Sequence, residues 1–600
     1  DGQINYAQIV PKSEGKERYS ESVMSGTDAG LVEAKGKNVF SYSVSLSPYQ
    51  EILLGLRYEE FLEKKLGGYE YKIPISGNSM NRNVKLFSVD IFIRSELYLN
   101  EINVDNYPVE NDDIEFISKH AGKFFYETRS AVSSDFIVRY QLESPPVNGT
   151  MLNYNDDKSE YFVHIFSPQK NDLGGSSMAK DIIFVLDKSG SMQGTKISQL
   201  KEAFEEIIGQ LQNKDSFNII MFDSNVRKYK SELLISDQEN KDNAIGYINN
   251  IDAGGSTNIN DAIVSALGMF EYSETKVPIV VMLTDGLPTA GVTNPATIRA
   301  NIKDKNYANV AIFSLGFGYD VDFEFLKAMS LENFGLALRI YEGGDASEQI
   351  TNFYETISTP LLKDLVFSYS DGCYDIYPTQ VDQLFEGTEA VVVGRYTGES
   401  GEINSTVEAN GWDGQKIFKE TFYLNESSNL SFIPRLWAFQ KIKYLMDQLT
   451  VKGKDAGLEE NITELALEYG FVTPFTSLLV EITPSYNDDK EVVTDTDNFE
   501  DASQDTQPTG NTDPDPTPSP PRTAPDNNKP VDEKKKDSGT GDDDIDLDGD
   551  LFGFIETEEN CDESAGFSML GIVICLPIVI IGVIILLIII IKRTKKKDQN

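Results

Sequence analysis

The sequence predicts an α/β domain on a doubly wound, mostly parallel sheet with helices on both faces, flanked by β-rich domains. Three observations carry that prediction. Apolar runs of strand length at 182–186, 217–222, 277–283 and 310–315 alternate with helical stretches near 259–270, 295–303 and 322–330, the order of parallel strands joined by crossover helices. The runs are apolar throughout, as strands buried on both faces are. Two of them stop at an acid, Asp187 and Asp285, at the carboxyl end of the sheet, where open α/β sheets hold ligands.

Taken in order, the run 182–186 ends in the loop Asp187-Lys188-Ser189-Gly190-Ser191. The helix after it places Ile197, Leu200, Phe204, Ile207 and Leu211 at three- and four-residue spacings, one buried stripe. Asp187, Ser189 and Ser191 are alternate residues on a tight loop and can turn three oxygens toward one point. Hard oxygen donors suit Mg²⁺ or Ca²⁺ rather than a thiophilic metal. Gly254-Gly255-Ser256-Thr257-Asn258, ahead of the next helix, adds Thr257. The strand Val280-Val281-Met282-Leu283-Thr284 delivers Asp285-Gly286. Acids and hydroxyls at strand ends also serve as helix caps, but three such elements in sequence on alternating strands and helices point to a shared ion.

The trio DxSxS, GGSTN and TDG resembles the metal-ion-dependent adhesion site (MIDAS) of von Willebrand factor type A domains. That resemblance implies that Ser189 and Ser191 bind the ion through their hydroxyls and Thr257 directly or through water. Asp187 and Asp285 would orient those ligands or bridge to the ion through waters. With few direct carboxylates the ion stays electrophilic and keeps a position open, which a glutamate or aspartate of another protein can fill.

Around this domain, assigned 178–362, the motifs resemble the inter-alpha-trypsin inhibitor heavy chains. DAGLVEAKGKNVFSYSVSLSP and LRYEEFLEKKLGGYEYKIPI are similar to the second half of that family's VIT domain, so 1–75 reads as a partial VIT domain. Its opening strands and signal peptide would be missing from an amino-terminally truncated chain. A helical patch is expected around Tyr58-Glu59-Glu60-Phe61-Leu62. Short strands make 76–177 a β-rich continuation and hinge. FEGTEAVVVGR, IPRLWAFQKI and YGFVTPFTSLLVEI place 363–484 in the same family as a β-rich and helical region, with Trp437, Phe439, Phe471 and Phe475 as core. The family's Asp-Pro-His processing site is absent: Asp513-Pro514 and Asp515-Pro516 have no histidine after them, so no covalent glycosaminoglycan is expected.

Composition bounds the rest. A net charge of −43 argues against nucleic acid as partner. Three cysteines form no disulfide framework, although Cys373 and Cys561 are possible partners, and two histidines with no catalytic motif leave an enzyme with little support. Residues 485–565 are rich in Asp, Pro, Thr and Ser and read as a disordered acidic stalk. Asp544, Asp546 and Asp548 imitate the start of a calcium loop without completing it. Residues 566–591 form an apolar run long enough for one transmembrane helix, and the basic tail 592–600 would then be cytoplasmic. The expectation is a single-pass type I plasma-membrane glycoprotein whose ectodomain serves cell adhesion in the extracellular matrix, binding an acidic side chain of an extracellular or cell-surface protein through Mg²⁺ or Ca²⁺. The alternative is an accessory subunit of a channel or receptor.

Overall fold

The apolar run 182–186 forms the middle of a strand buried on both faces of a seven-stranded sheet. In chain order the strands of this domain are β1 (Ala179–Asp187), β2 (Ser216–Phe222), β3 (Val226–Lys228), β4 (Leu234–Ile235), β5 (Lys276–Thr284), β6 (Ala311–Phe317) and β7 (Ala337–Ile340). Its helices are α1 (Thr195–Gln210), α2 (Gln238–Asn249), α3 (Ile259–Leu267), α4 (Pro295–Lys305), α5 (Phe323–Leu331) and α6 (Ala346–Ile357). The spatial order is β3-β2-β1-β5-β6-β7, with β4 also against β2. Contacts β1–β2, β1–β5, β5–β6 and β6–β7 are parallel, whereas β3 and β4 run antiparallel to β2.

Alternate side chains of β1 go to opposite faces. Ile182, Phe184 and Leu186 pack with Leu200, Phe204 and Ile207 of α1 and Ile350 and Tyr354 of α6. Ile183 and Val185 pack with Ile259 and Ile263 of α3, Ile298 and Ile302 of α4 and Leu326 of α5. Each such side chain contributes about 1.5–3 kcal/mol on burial, so the strand is held from both sides and its carboxyl end is a rigid platform.

The computed structural model describes residues 5–36, 39–47, 58–73, 75, 86–130, 132–155, 160–318, 320–341, 346–397, 401–424, 430–482, 553–554 and 584–585. The unit Thr483–Asp544 lies wholly outside them. Strands from both sides of the α/β domain share a sheet: Glu160–Phe166 pairs antiparallel with Ala390–Tyr396 along its length. That sheet faces a second one of Gln380–Phe385, Pro360–Tyr369, Glu402–Gly411 and Gly414–Tyr423 across Phe166, Val392, Val407 and Phe418. Its other face is covered by the helices Phe432–Lys452 and Ala456–Tyr469, where Trp437, Phe439 and Phe471 are buried and Phe475 packs at the margin. The late strand Thr476–Ile482 lies between Gln8–Pro11 and Asp28–Gly36 in the amino-terminal sheet. Residues 69–142 form a further β layer pair around Tyr71, Ile91, Phe124 and Phe136.

Several expectations are corrected. No helix among the described residues is long and apolar enough to cross a membrane. Within the expected transmembrane helix 566–591, the described residues Ile584–Ile585 are a short strand paired with Tyr58–Glu59, a conformation set by a partner strand rather than by the 1.5 Å rise of a helix. The other residues of that stretch and the basic tail 592–600 lie outside the described residues. So does the stalk 485–565, including Asp544, Asp546, Asp548 and Cys561, except for Gly553–Phe554, a strand against Phe471–Val472. The helical patch expected at Tyr58-Glu59-Glu60-Phe61-Leu62 is absent, because its first two residues pair as a strand. An amino-terminal helix forms instead at Lys12–Ser25 and ends at Gly26, whose φ of +72° is the left-handed stop that glycine supplies without a Cβ penalty.

Candidate metal centre

Three loops meet at the carboxyl ends of β1 and β5. The loop after β1 carries Asp187, Ser189 and Ser191; the segment before α3 carries Thr257; the end of β5 carries Asp285. Cross-ties hold them together. Gly190 donates its N–H to the Gly255 carbonyl at 2.9 Å, and Gly254 donates to the Lys188 carbonyl at 2.7 Å. Lys188 pairs with Asp223 at the end of β2, and the Asn258 N–H is bound by the Asp223 carbonyl. Gly255 has a φ of +97°, and a Cβ there would lie 3.0 Å from Asp223 Cβ, so this crossing requires glycine.

Within this frame four of the five expected residues form one continuous chain of hydrogen bonds. Asp187 is buried and accepts the Ser189 N–H at 2.7 Å and the Thr284 hydroxyl at 2.5 Å. The Ser189 and Ser191 hydroxyls lie 3.1 Å apart, and the Ser191 hydroxyl donates to Asp285 Oδ1 at 2.7 Å. Lys196 Nζ donates to Asp285 Oδ2 at 2.9 Å. Thr257 joins through Gly286: a Cβ on that glycine would stand 3.1 Å from Thr257 Oγ1 and 3.6 Å from Ser191 Oγ, so both hydroxyls border the same small space. Thr257 is itself fixed, its N–H donating to the Thr289 hydroxyl at 2.9 Å while its carbonyl accepts from Thr289 and Ala290.

Electrostatically the site is mixed. Burial pushes the Asp187 carboxyl up to about 6; the Thr284 and Ser189 hydrogen bonds hold it down in part, and the neighbouring Asp285 charge adds to the rise. Access is preserved: Ser189, Thr257, Asp187 and Asp285 are buried, but Gly190, Ser191, Gly255 and Ser256 are exposed. Among the described residues no group of three or more His, Cys, Asp or Glu side chains is placed to hold a metal. A cation here must therefore rest on hydroxyls together with two carboxylates, and that donor set fits a hard divalent ion. Thr284 and Lys196 extend the expected set. Thr284 was visible as the threonine before Asp285, and Lys196 as a lysine in the first turn of α1, where side chains lean back toward the preceding loop.

The chain matches the von Willebrand factor type A domain over residues 181–355 and the Vault protein inter-alpha-trypsin domain over residues 1–58. Inter-alpha-trypsin inhibitor heavy chain H4 of Homo sapiens is 32% identical over 519 residues, covering 80% of this chain and 54% of that protein. The chain is a homologue of the inter-alpha-trypsin inhibitor heavy chains. It spans about half the length of the curated relatives it matches. Among solved structures, a von Willebrand factor type A protein from Catenulispora acidiphila is 14% identical, covers 53% of this chain and 85% of its own, and superposes with a TM-score of 0.40. Proximal thread matrix protein 1 from the mussel byssus, described with a zinc-occupied MIDAS motif, is 20% identical over 30% of this chain and 46% of its own, with a TM-score of 0.25. For this heavy-chain homologue the expected single-pass plasma-membrane placement is overturned. What stands against it is the match to the inter-alpha-trypsin inhibitor heavy chains, and among the described residues no helix is long and apolar enough to cross a membrane.

Proposed function

We propose that the von Willebrand type A domain of this heavy-chain homologue is a non-enzymatic binding module for an extracellular protein, and that it engages an acidic side chain of that partner through a divalent cation, Mg²⁺ or Ca²⁺. The observation that carries the reading is the meeting of Ser189, Ser191 and Thr257 hydroxyls with Asp187 and Asp285 beside an exposed rim. A bound divalent ion would supply an electrophilic centre for a carboxylate. The chain's own residues do the remainder. Thr284 and the Ser189 N–H orient Asp187, and Ser191 and Lys196 orient Asp285. Packing on both faces keeps the strand ends from yielding when a partner pulls.

The test is capture of extracellular proteins by the full chain with Mg²⁺, with Ca²⁺ and with chelator, wild type against Asp187→Ala. Capture that needs a cation and is lost in the variant supports the proposal. Equal capture with chelator, or by the variant, would refute it. A captured channel or receptor subunit in place of a soluble or matrix protein would turn the reading toward an accessory role.

A further inference from the structure

Among the described residues, Lys196 is the cation at this centre that touches one of its two carboxylates. It lies in the first turn of α1, and its ammonium reaches back to Asp285 Oδ2 at 2.9 Å, with its side chain 16% exposed and that of Asp285 fully buried. Asp285 is engaged on both oxygens, by the Ser191 hydroxyl on one and by Lys196 on the other. The second cation on the rim, Lys188, is taken up by Asp223, so that pair adds no net charge. Lys196 thus places a positive charge directly against one of the two carboxylates, Asp187 and Asp285, that the centre holds.

Resting on the metal reading above, we propose that Lys196 tunes this centre: it weakens the hold on the divalent ion and, in exchange, strengthens the pull of the loaded site on a carboxylate. The argument is one of charge. A neighbouring ammonium repels an incoming divalent ion and, once the ion is in place, leaves the loaded centre one charge more positive toward an anionic side chain; without Lys196 the ion is held more tightly and the attraction fades. Partly buried charges interact strongly enough for each effect to be about tenfold. Lys196 is thus a specificity-determining residue for acidic partners, acting through Asp285 and the local charge.

The two effects have opposite signs, which separates this role from simple structural support. Full-length wild type, Lys196→Met and Lys196→Arg are titrated with Mn²⁺, read by loss of the free-ion electron paramagnetic resonance signal. Acetate, the smallest carboxylate, is then titrated onto each loaded protein and read by relaxation of its methyl protons. Circular dichroism verifies folding. Expected is Mn²⁺ binding about tenfold tighter and acetate binding about tenfold weaker in Lys196→Met, with Lys196→Arg close to wild type on both. In folded Lys196→Met, unchanged or weaker Mn²⁺ binding overturns the tuning role while the metal centre stands. Tighter Mn²⁺ binding with unchanged acetate binding overturns the partner-selecting half. Absence of Mn²⁺ binding in wild type overturns the metal centre and this inference with it.

Discussion

The two ends of β1 carry polar residues of the same kind and put them to opposite uses. Near its start, Lys180 and Asp215 form an ion pair at 2.7 Å with both side chains 1% exposed. Lys180 also donates to the Ser358 carbonyl at 2.7 Å, just past α6, and Asp215 accepts the Lys180 and Gln212 N–H groups. Burial pulls the Lys180 ammonium below its usual range, and Asp215 opposes that shift. At the far end, Asp187 and Asp285 face hydroxyls beside an exposed rim, and one lysine, Lys196, reaches Asp285. The comparison teaches that burial alone does not mark function. A charge matched by its own partner and closed to solvent locks the sheet to α6, whereas the acids at the accessible strand end are the ones we propose for a cation.

The largest effect should come from breaking the closed end. Asp215→Ala leaves the Lys180 ammonium buried without its counter-charge and should cost about 3–5 kcal/mol of stability, read by urea denaturation. Mn²⁺ affinity of the protein that remains folded should not change. A parallel loss of affinity would mean that the two ends are coupled. Next, Asp187→Ala should weaken Mn²⁺ binding more than about a hundredfold, since it removes a carboxylate from a set that has only two. Calorimetric titration showing wild-type affinity would erase the distinction between the ends.

A second closed site tests the rule outside the domain. His164 is fully buried, held by Tyr369 at 3.0 Å and the Asn148 carbonyl at 3.0 Å, and burial lowers its imidazole from 6.5 to about 4. The folded state therefore binds fewer protons than the unfolded one between those values. Stability present above pH 6.5 is lost as pH falls, by about 2 kcal/mol between pH 7 and 5. Glu389, whose carboxyl burial raises to about 7, acts in the other direction, with stability lost as pH rises toward that value. Comparing wild type with His164→Gln at both pH values isolates the histidine. An equal pH slope in the two proteins would contradict its assignment as a neutral, sealed group. The smallest effect is expected of Thr284→Val, which removes the hydroxyl on Asp187 and should weaken Mn²⁺ binding about tenfold with the fold intact.

Much of the site was legible because its signals are local. The apolar run before Asp187, the stripe from Ile197 to Leu211 and the glycines before Thr257 each report on a few neighbouring residues, and period and loop length place them at one end of a sheet. Thr284 and Lys196 were less visible, since their roles depend on where a side chain points from a strand end and from a first helical turn. The sharing of a sheet by Glu160–Phe166 and Ala390–Tyr396 was not legible at all. Strand pairing satisfies backbone groups that are the same in every residue, so the sequence of one strand carries little information about a partner more than two hundred positions away.

By itself, then, the sequence determined a parallel α/β domain, the order of its strands and helices along the chain, and the five oxygen-bearing residues at the ends of β1, β5 and the segment before α3. Short-range periodicity and side-chain chemistry suffice for that. Tertiary structure alone decided that strands from both sides of this domain close one sheet, that Lys196 shares Asp285 with Ser191, and that a residue pair at the start of β1 is sealed while the acids at its end stay within reach of solvent. Those outcomes depend on distances between segments remote in sequence, and on which charges the folded chain brings together and which it leaves unmatched.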